Sequence, residues 1–224
     1  MLNVNIFKAI NKWFRPYLYD NEIIEEKKQI KNTKKRVKKT KLTKSDKKPT
    51  EIDAVMRGEL GVKIITMNRE LNKESAFDRL DKSDSHVAYY YHSSERHQLA
   101  VKFEPKSGFR YYKRNASKLK AFKPFVYPIG KPYDKTHLIP VGFHGSESDP
   151  RLLIGWNSKL NRGDIRKLES KVININKDYT VLWFVDIEMQ NNGSAKWTST
   201  VWFEDGELLD EKVFHDKDKF HWSA

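Results

Sequence analysis

Residues 178–189 read DYTVLWFVDIEM, a run so rich in β-branched and aromatic side chains that a strand is its natural state. NNG at 191–193 turns the chain. KWTSTVWFEDGELLDEKVF at 196–214 then returns as further strand, with Asp205-Gly206 as a tight turn. Upstream, HVAYYYHS (86–93), HQLAVKFE (97–104) and GFRYYKR (108–114) repeat the pattern, with polar turns between them. Pro105 and Gly108 predict a hairpin after Glu104. GDIRKLESKV (163–172) has helical period instead, with Ile165, Leu168 and Val172 on one face. Residues 115–123 fit neither template cleanly. The expected fold is α+β, an antiparallel sheet core in one domain over 51–224, with Trp183, Trp197 and Trp202 inside the sheet.

The 224-residue chain carries a formal charge of +13, and its distribution matters more than its total. Between Lys27 and Lys48 stand eleven lysines and one arginine against a single acid, Asp46. Residues 21–50 therefore read as a solvated linker or a basic arm, frayed or partly helical through Glu-to-Lys pairs near residue 25. Lys34, Lys35, Arg36, Lys38 and Lys39 are the expected phosphate contacts, which read no base sequence. Ahead of the arm, Ile6, Phe7, Ile10, Trp13 and Phe14 predict a short amphipathic helix within 1–20, ended by Pro16. It either docks on the main domain or, with the arm, makes a membrane-surface contact through residues 1–48. The absence of cysteine excludes disulfides, thiolate metal sites and cysteine nucleophiles. No stretch reads as a membrane span or secretory signal, so the expectation is a cytoplasmic protein or one exported without a classical signal peptide.

YDKTHLIPVGFHGSE, residues 133–147, holds two of the seven histidines. His137 heads a strand-like HLIPV run, whereas His144 stands among Gly142, Gly145 and Ser146 and is expected on a surface loop. Asn161 and Glu169 follow, eight residues apart and so on roughly one side of a helix. Singly these are ordinary residues: a strand-edge histidine, a helix cap and a solvated helix charge. As an ordered set they supply an imidazole base, a neutral oxygen ligand suited to hydrated Mg²⁺, and a carboxylate. His86, His92 and His97 lie in or beside strands at mixed spacing and read as structural.

YDKTHLIP followed by NSKLNRGDIRKLE resembles the DNA/RNA non-specific endonucleases of the ββα-metal (His-Me finger) class, in their DNA-entry nuclease branch. That family carries Asp-Arg-Gly-His, a downstream metal-binding Asn, and a Glu eight residues after it. The resemblance covers roughly 80–215 and is sharpest in 133–169. Asp134 takes the aspartate place, His137 the histidine, Asn161 the metal position and Glu169 the trailing glutamate, with Asn157 as second choice for the metal. Lys135 and Thr136 stand where the family has Arg and Gly. Lysine keeps the charge without the bidentate fork, and threonine fits only where the backbone needs no positive φ.

The resemblance implies a ββα-metal motif and cleavage of DNA, with RNA as a second substrate, using Mg²⁺ or Mn²⁺. His137 would be the general base, and Glu169 would orient waters around the cation. Lys135, Arg162 or Arg166 would support charge on the phosphate. Products would carry 5′-phosphates, and an inhibitor or regulatory partner would protect the host. Two other classes compete: a non-catalytic nucleic-acid-binding or adaptor protein on the same fold, and a membrane or interaction protein acting through residues 1–50.

Overall fold

The computed structural model describes residues 61–111, 119–120 and 122–223, all within one compact unit, residues 49–224. The helix expected in 1–20 and the arm over 21–50, with Lys34, Lys35, Arg36, Lys38 and Lys39, lie outside the described residues.

The alternation read in 178–214 becomes three consecutive antiparallel strands, β7 (Val181–Met189), β8 (Ala195–Phe203) and β9 (Leu208–Asp216). Gly193 at φ 80° and Gly206 at φ 90° make their turns, the left-handed geometry that glycine adopts at no steric cost. β1 (Lys63–Thr66), β2 (Val87–His92) and β3 (Arg96–Phe103) complete a six-stranded sheet of order β1-β2-β3-β7-β8-β9. β1 runs parallel to β2 and every other pair in this sheet is antiparallel.

Side chains alternate across the sheet as the period of a strand requires. Val181, Trp183, Val185 and Ile187 enter one core, and Leu182 and Phe184 enter the other. Helix α1 (Lys73–Asp81) covers the second face with Ala76 and Leu80. Trp183 and Trp197 fall in the larger core and Trp202 in the smaller.

Against the larger core lies the segment of interest. β4 (Val126–Pro128) pairs with β10 (Phe220–Trp222). β5 (Asp134–His137) pairs antiparallel with β6 (Leu153–Trp156), and the short helix α2 (Val141–His144) sits between them. After β6 the chain turns directly into a helical stretch: α3 (Ser158–Leu160), a π turn (Asn161–Ile165) and α4 (Arg166–Ile175). Ile165, Leu168 and Val172 face inward together and join the core with Leu138, Ile139, Phe143, Leu152, Ile154 and Trp156.

Two local expectations are corrected. The hairpin after Glu104 does not form. Lys106 takes φ 70°, and a 3-10 turn occupies Ser107–Phe109, where strand was expected. Asn176, at the end of α4, imposes this: its side chain donates to the Glu104 carbonyl and accepts from the Gly108 N–H. His144 is not on a surface loop but buried in α2. Thr136, in turn, sits buried in regular β5 with no positive φ, so a β-branched residue suits it.

Among the described residues no helix is long and apolar enough to cross a membrane.

The histidines of β2 and β3 form a pair. His92 Nε2–H donates to the Ser223 carbonyl at 2.5 Å, so its Nδ1 accepts from His97 Nδ1–H at 3.0 Å. Burial, followed by the neighbouring His92, pushes the His97 pKa down to about 3. Native His97 therefore stays neutral while the unfolded residue takes up a proton below about 6.5. Its contribution to stability is complete above about pH 6.5 and is lost progressively as pH falls towards 3, at no more than about 1.4 kcal/mol per pH unit. Urea unfolding of His97→Phe between pH 6.5 and 4 should show a shallower loss of stability with acid than the wild type. An unchanged slope would show that His97 is not the group taking up the proton.

Candidate active site

The strand–strand–helix unit brings a carboxylate, an amide and a guanidinium together at the start of β5. Asn157 ends β6 and caps the helical stretch, its Oδ1 accepting from the N–H groups of Lys159 and Leu160. Its own N–H donates to Asp216 at the end of β9 at 2.9 Å, which pins the start of the helix to the main sheet. Ser158, Asn161 and Arg162 then share a face at three- and four-residue spacing, and all three reach Asp134.

Arg162 approaches as a fork, with Nε and Nη2 each 2.8 Å from a carboxylate oxygen. Ser158 Oγ donates at 2.9 Å and Asn161 Nδ2 at 3.2 Å. Burial alone would raise the pKa of Asp134. The donors from Arg162, Asn161 and Ser158 outweigh it and hold the carboxyl below its usual range.

An ionised carboxylate accepts only, so the Asn161 nitrogen must face it. The Asn161 amide then has its carbonyl oxygen to offer to anything else. Asn157, the second choice for a metal, spends its oxygen on the cap instead.

His137 ends the same strand three residues on, about 10 Å of strand at roughly 3.3 Å per residue. Its partners come from the loop after α2. The His137 side chain is 8% exposed, with Nε2 3.0 Å from the Ser146 carbonyl. A carbonyl can only accept, so Nε2 carries the proton and the basic lone pair of the neutral ring is on Nδ1. Glu147, whose side chain is 4% exposed, places Oε2 3.9 Å from the same Nε2.

His144 builds this arrangement. Its Nε2–H donates to the Ile139 carbonyl at 2.9 Å, and its Nδ1 accepts from the Ser146 N–H at 3.1 Å. Gly145, at φ 77°, closes α2 and lets the chain fold back. His144 thus fixes Ser146, and Ser146 fixes the tautomer of His137. The two imidazoles lie 5.6 Å apart.

The other expected residues divide. Lys135 Nζ donates to the carbonyls of Leu119 at 2.8 Å and Lys120 at 2.6 Å, so its charge braces a neighbouring segment instead of joining the Asp134 group. Arg162 is tied to Asp134 but its side chain remains 72% exposed. Arg166 and Glu169 lie on α4, both half-buried. Eight residues of pure α-helix overshoot two turns by about 80°. A π turn takes about one residue more than an α turn. The π turn at Asn161–Ile165 therefore brings Glu169 nearly into phase with Asn161.

Among the described residues no group of three or more histidines, aspartates and glutamates is placed to hold a metal ion. The donor set instead suits a cation with one protein oxygen, that of Asn161, and a shell of water, which is the habit of Mg²⁺. The oriented Asn161 amide and the low-pKa Asp134 behind it fit that role.

Sequence reasoning missed Glu147 and the Ser146 carbonyl. Glu147 stood in the stretch first noticed, but an acid in a Gly/Ser loop has no signature, and a backbone carbonyl has none at all. In comparisons with family models, curated proteins and solved structures, nothing matches the chain.

Proposed function

We propose that this protein is a Mg²⁺-dependent, sequence-nonspecific endonuclease that hydrolyses phosphodiester bonds of DNA, with RNA as a second substrate. The observation that carries the reading is the 3.0 Å contact from His137 Nε2 to the Ser146 carbonyl. It leaves a neutral imidazole with its basic nitrogen defined, as a general base requires. Mg²⁺, or Mn²⁺ in its place, bound at the Asn161 oxygen would offset charge on the phosphate and the departing 3′-oxygen.

His137 takes the proton of the attacking water on Nδ1. The imidazolium that results keeps its Nε2–H on Ser146 and gains the nearby Glu147 carboxylate as counter-charge. Asp134 holds the Asn161 amide in one orientation, and Glu169 orients water from the next turn. The exposed guanidinium of Arg162 and that of Arg166 meet the phosphate, and the basic arm supplies salt-sensitive, sequence-blind capture. Gly163 stands on the π turn with nothing within 4 Å of the place a Cβ would occupy, so a nucleic-acid backbone can pass close to Asn161.

A second reading has its own support. Lys135 is committed to two carbonyls and Arg162 to Asp134. Cations already paired suit a non-catalytic nucleic-acid-binding or adaptor protein on the same fold.

Plasmid and RNA incubated with the full chain and Mg²⁺ separate the two. Cleavage that EDTA stops, reduced about 10²–10⁴-fold in His137→Ala and strongly in Asn161→Ala, is the expected result. Intact nucleic acid under every divalent metal, or equal cleavage by His137→Ala, would sink the nuclease reading.

The pH–rate profile gives a finer test. Asp134 is held ionised well below neutrality, so it should not titrate in the working range. Activity should rise with pH as the imidazole loses its proton, and this limb should vanish in His137→Ala.

Gly163→Ala should stabilise the helical stretch by about 0.5–1 kcal/mol yet raise KM. A higher melting temperature with unchanged KM would remove Gly163 from the substrate path.

A further inference from the structure

Three rings run along the surface beside the β5–β6 hairpin. His221 and Tyr127 are directly opposed in the β10–β4 pair, with centroids 4.8 Å apart. Tyr127 stacks on Tyr133 at 5.6 Å with 29° between the planes. Tyr133 and Tyr127 are half-buried, and His221 is exposed.

The run needs Gly155 on β6. A Cβ there would come within 2.6 Å of Tyr127 and 2.7 Å of the Tyr133 ring, so any other residue would push the rings off the hairpin. Gly155 is paired with Lys135, and directly opposed residues of an antiparallel pair share a face. His137, two positions beyond Lys135, belongs to that face as well. The rings therefore flank the face that carries His137, about 13 Å away along the strand at roughly 3.3 Å per residue.

The surroundings are cationic. The Lys123 ammonium lies 5.0 Å from the Tyr127 ring centroid. Lys131, on the loop leading to Tyr133, is exposed. Polar-tipped aromatic rings at the surface, interleaved with lysines, are the composition of a stacking platform for unpaired bases with cations for the phosphates between them. A duplex cannot use it, because its bases are already stacked on one another.

We propose that Tyr133, Tyr127 and His221 form a binding subsite for unpaired nucleobases, so that this protein grips single-stranded nucleic acid on the hairpin face that carries His137. The proposal rests on the nuclease reading only for what happens to the strand after it is gripped. A base entering beside Tyr133 extends the run of rings, and Lys123 and Lys131 meet its phosphates. Because every base has a π face, the subsite prefers unpaired over paired substrate and is indifferent to sequence.

The test is binding in EDTA, where cleavage plays no part. Fluorescence anisotropy of the full chain is measured with a labelled 20-mer of thymidylate, a 20-mer of uridylate, and a duplex of the same length. Salt is set high enough to suppress the purely electrostatic arm. Tyr133→Leu and Tyr127→Leu should each weaken both single strands at least about fivefold and the duplex less than about twofold. Tyr133→Phe, which keeps the stacking ring, should bind like the wild type. A loss confined to one 20-mer would assign the subsite to DNA or to RNA.

Equal losses on duplex and single strand, or no loss on either, overturn the proposal. Should a leucine variant fail to fold, photocrosslinking of a 5-iodouracil-substituted strand to the wild type decides. Crosslinks at Tyr127, Tyr133 or His221 support the subsite, and crosslinks confined to 21–50 overturn it. Tyrosine-dependent binding without cleavage in Mg²⁺ would sink the nuclease reading alone. Cleavage without tyrosine dependence would sink the subsite alone.

Discussion

The carboxylate of Asp134 joins a strand to a helix, and the candidate site depends on that join. Ser158, Asn161 and Arg162 all reach back to it from the turns that follow β6. Partly burying a carboxylate is unfavourable, so four donors are needed to make the arrangement net stabilising. Without them the helix would still be held by Ile165, Leu168 and Val172 in the core. Apolar contacts, however, do not specify direction well. The charged hydrogen bonds are what turn the Asn161 amide one way round. Packing positions the helix, and electrostatics orients the groups upon it.

The two histidines of 133–147 show how the same side chain serves opposite ends. His144 has both nitrogens bonded to the backbone of its own loop, one donating and one accepting. That arrangement is satisfied only by a neutral ring and makes His144 a brace. His137 has its Nε2 on a carbonyl and a carboxylate close by. That arrangement tolerates, and even favours, a ring that gains a proton. The difference lies in which backbone atoms the α2 loop presents.

Much of the fold was legible because it is local. Val181–Met189 and Ala195–Phe203 announce themselves by composition, Gly193 and Gly206 by turn chemistry, and α4 by the spacing of its apolar face. The readings that failed involve partners far away in sequence. The 3-10 turn at Ser107–Phe109 is dictated by Asn176, some seventy residues on, and no local pattern in SGFRYY carries that. His144 looked exposed because glycines flank it, yet those glycines are what let the chain fold back over it. At the candidate site, residue identities were readable from spacing, including Asn161 and Glu169. The Ser146 carbonyl was not, since every residue has one and only the fold selects it. Lys135 was correctly seen as a cation but not as one already occupied, because its acceptors are carbonyls of a segment fifteen residues upstream.

The π turn at Asn161–Ile165 makes the site a matter of chain length as well as of residue identity. Each residue added to or removed from a helix rotates everything beyond it by about 100°. Removing a single residue from this turn would leave Asp134, His137, Asn161 and Glu169 all present in the chain. It would still swing Glu169 away from Asn161 and drag Leu168 and Val172 off the core with it. The extra residue is therefore held in place from both sides, by the polar face that needs Asn161 and Glu169 in phase and by the apolar face that cannot rotate to follow.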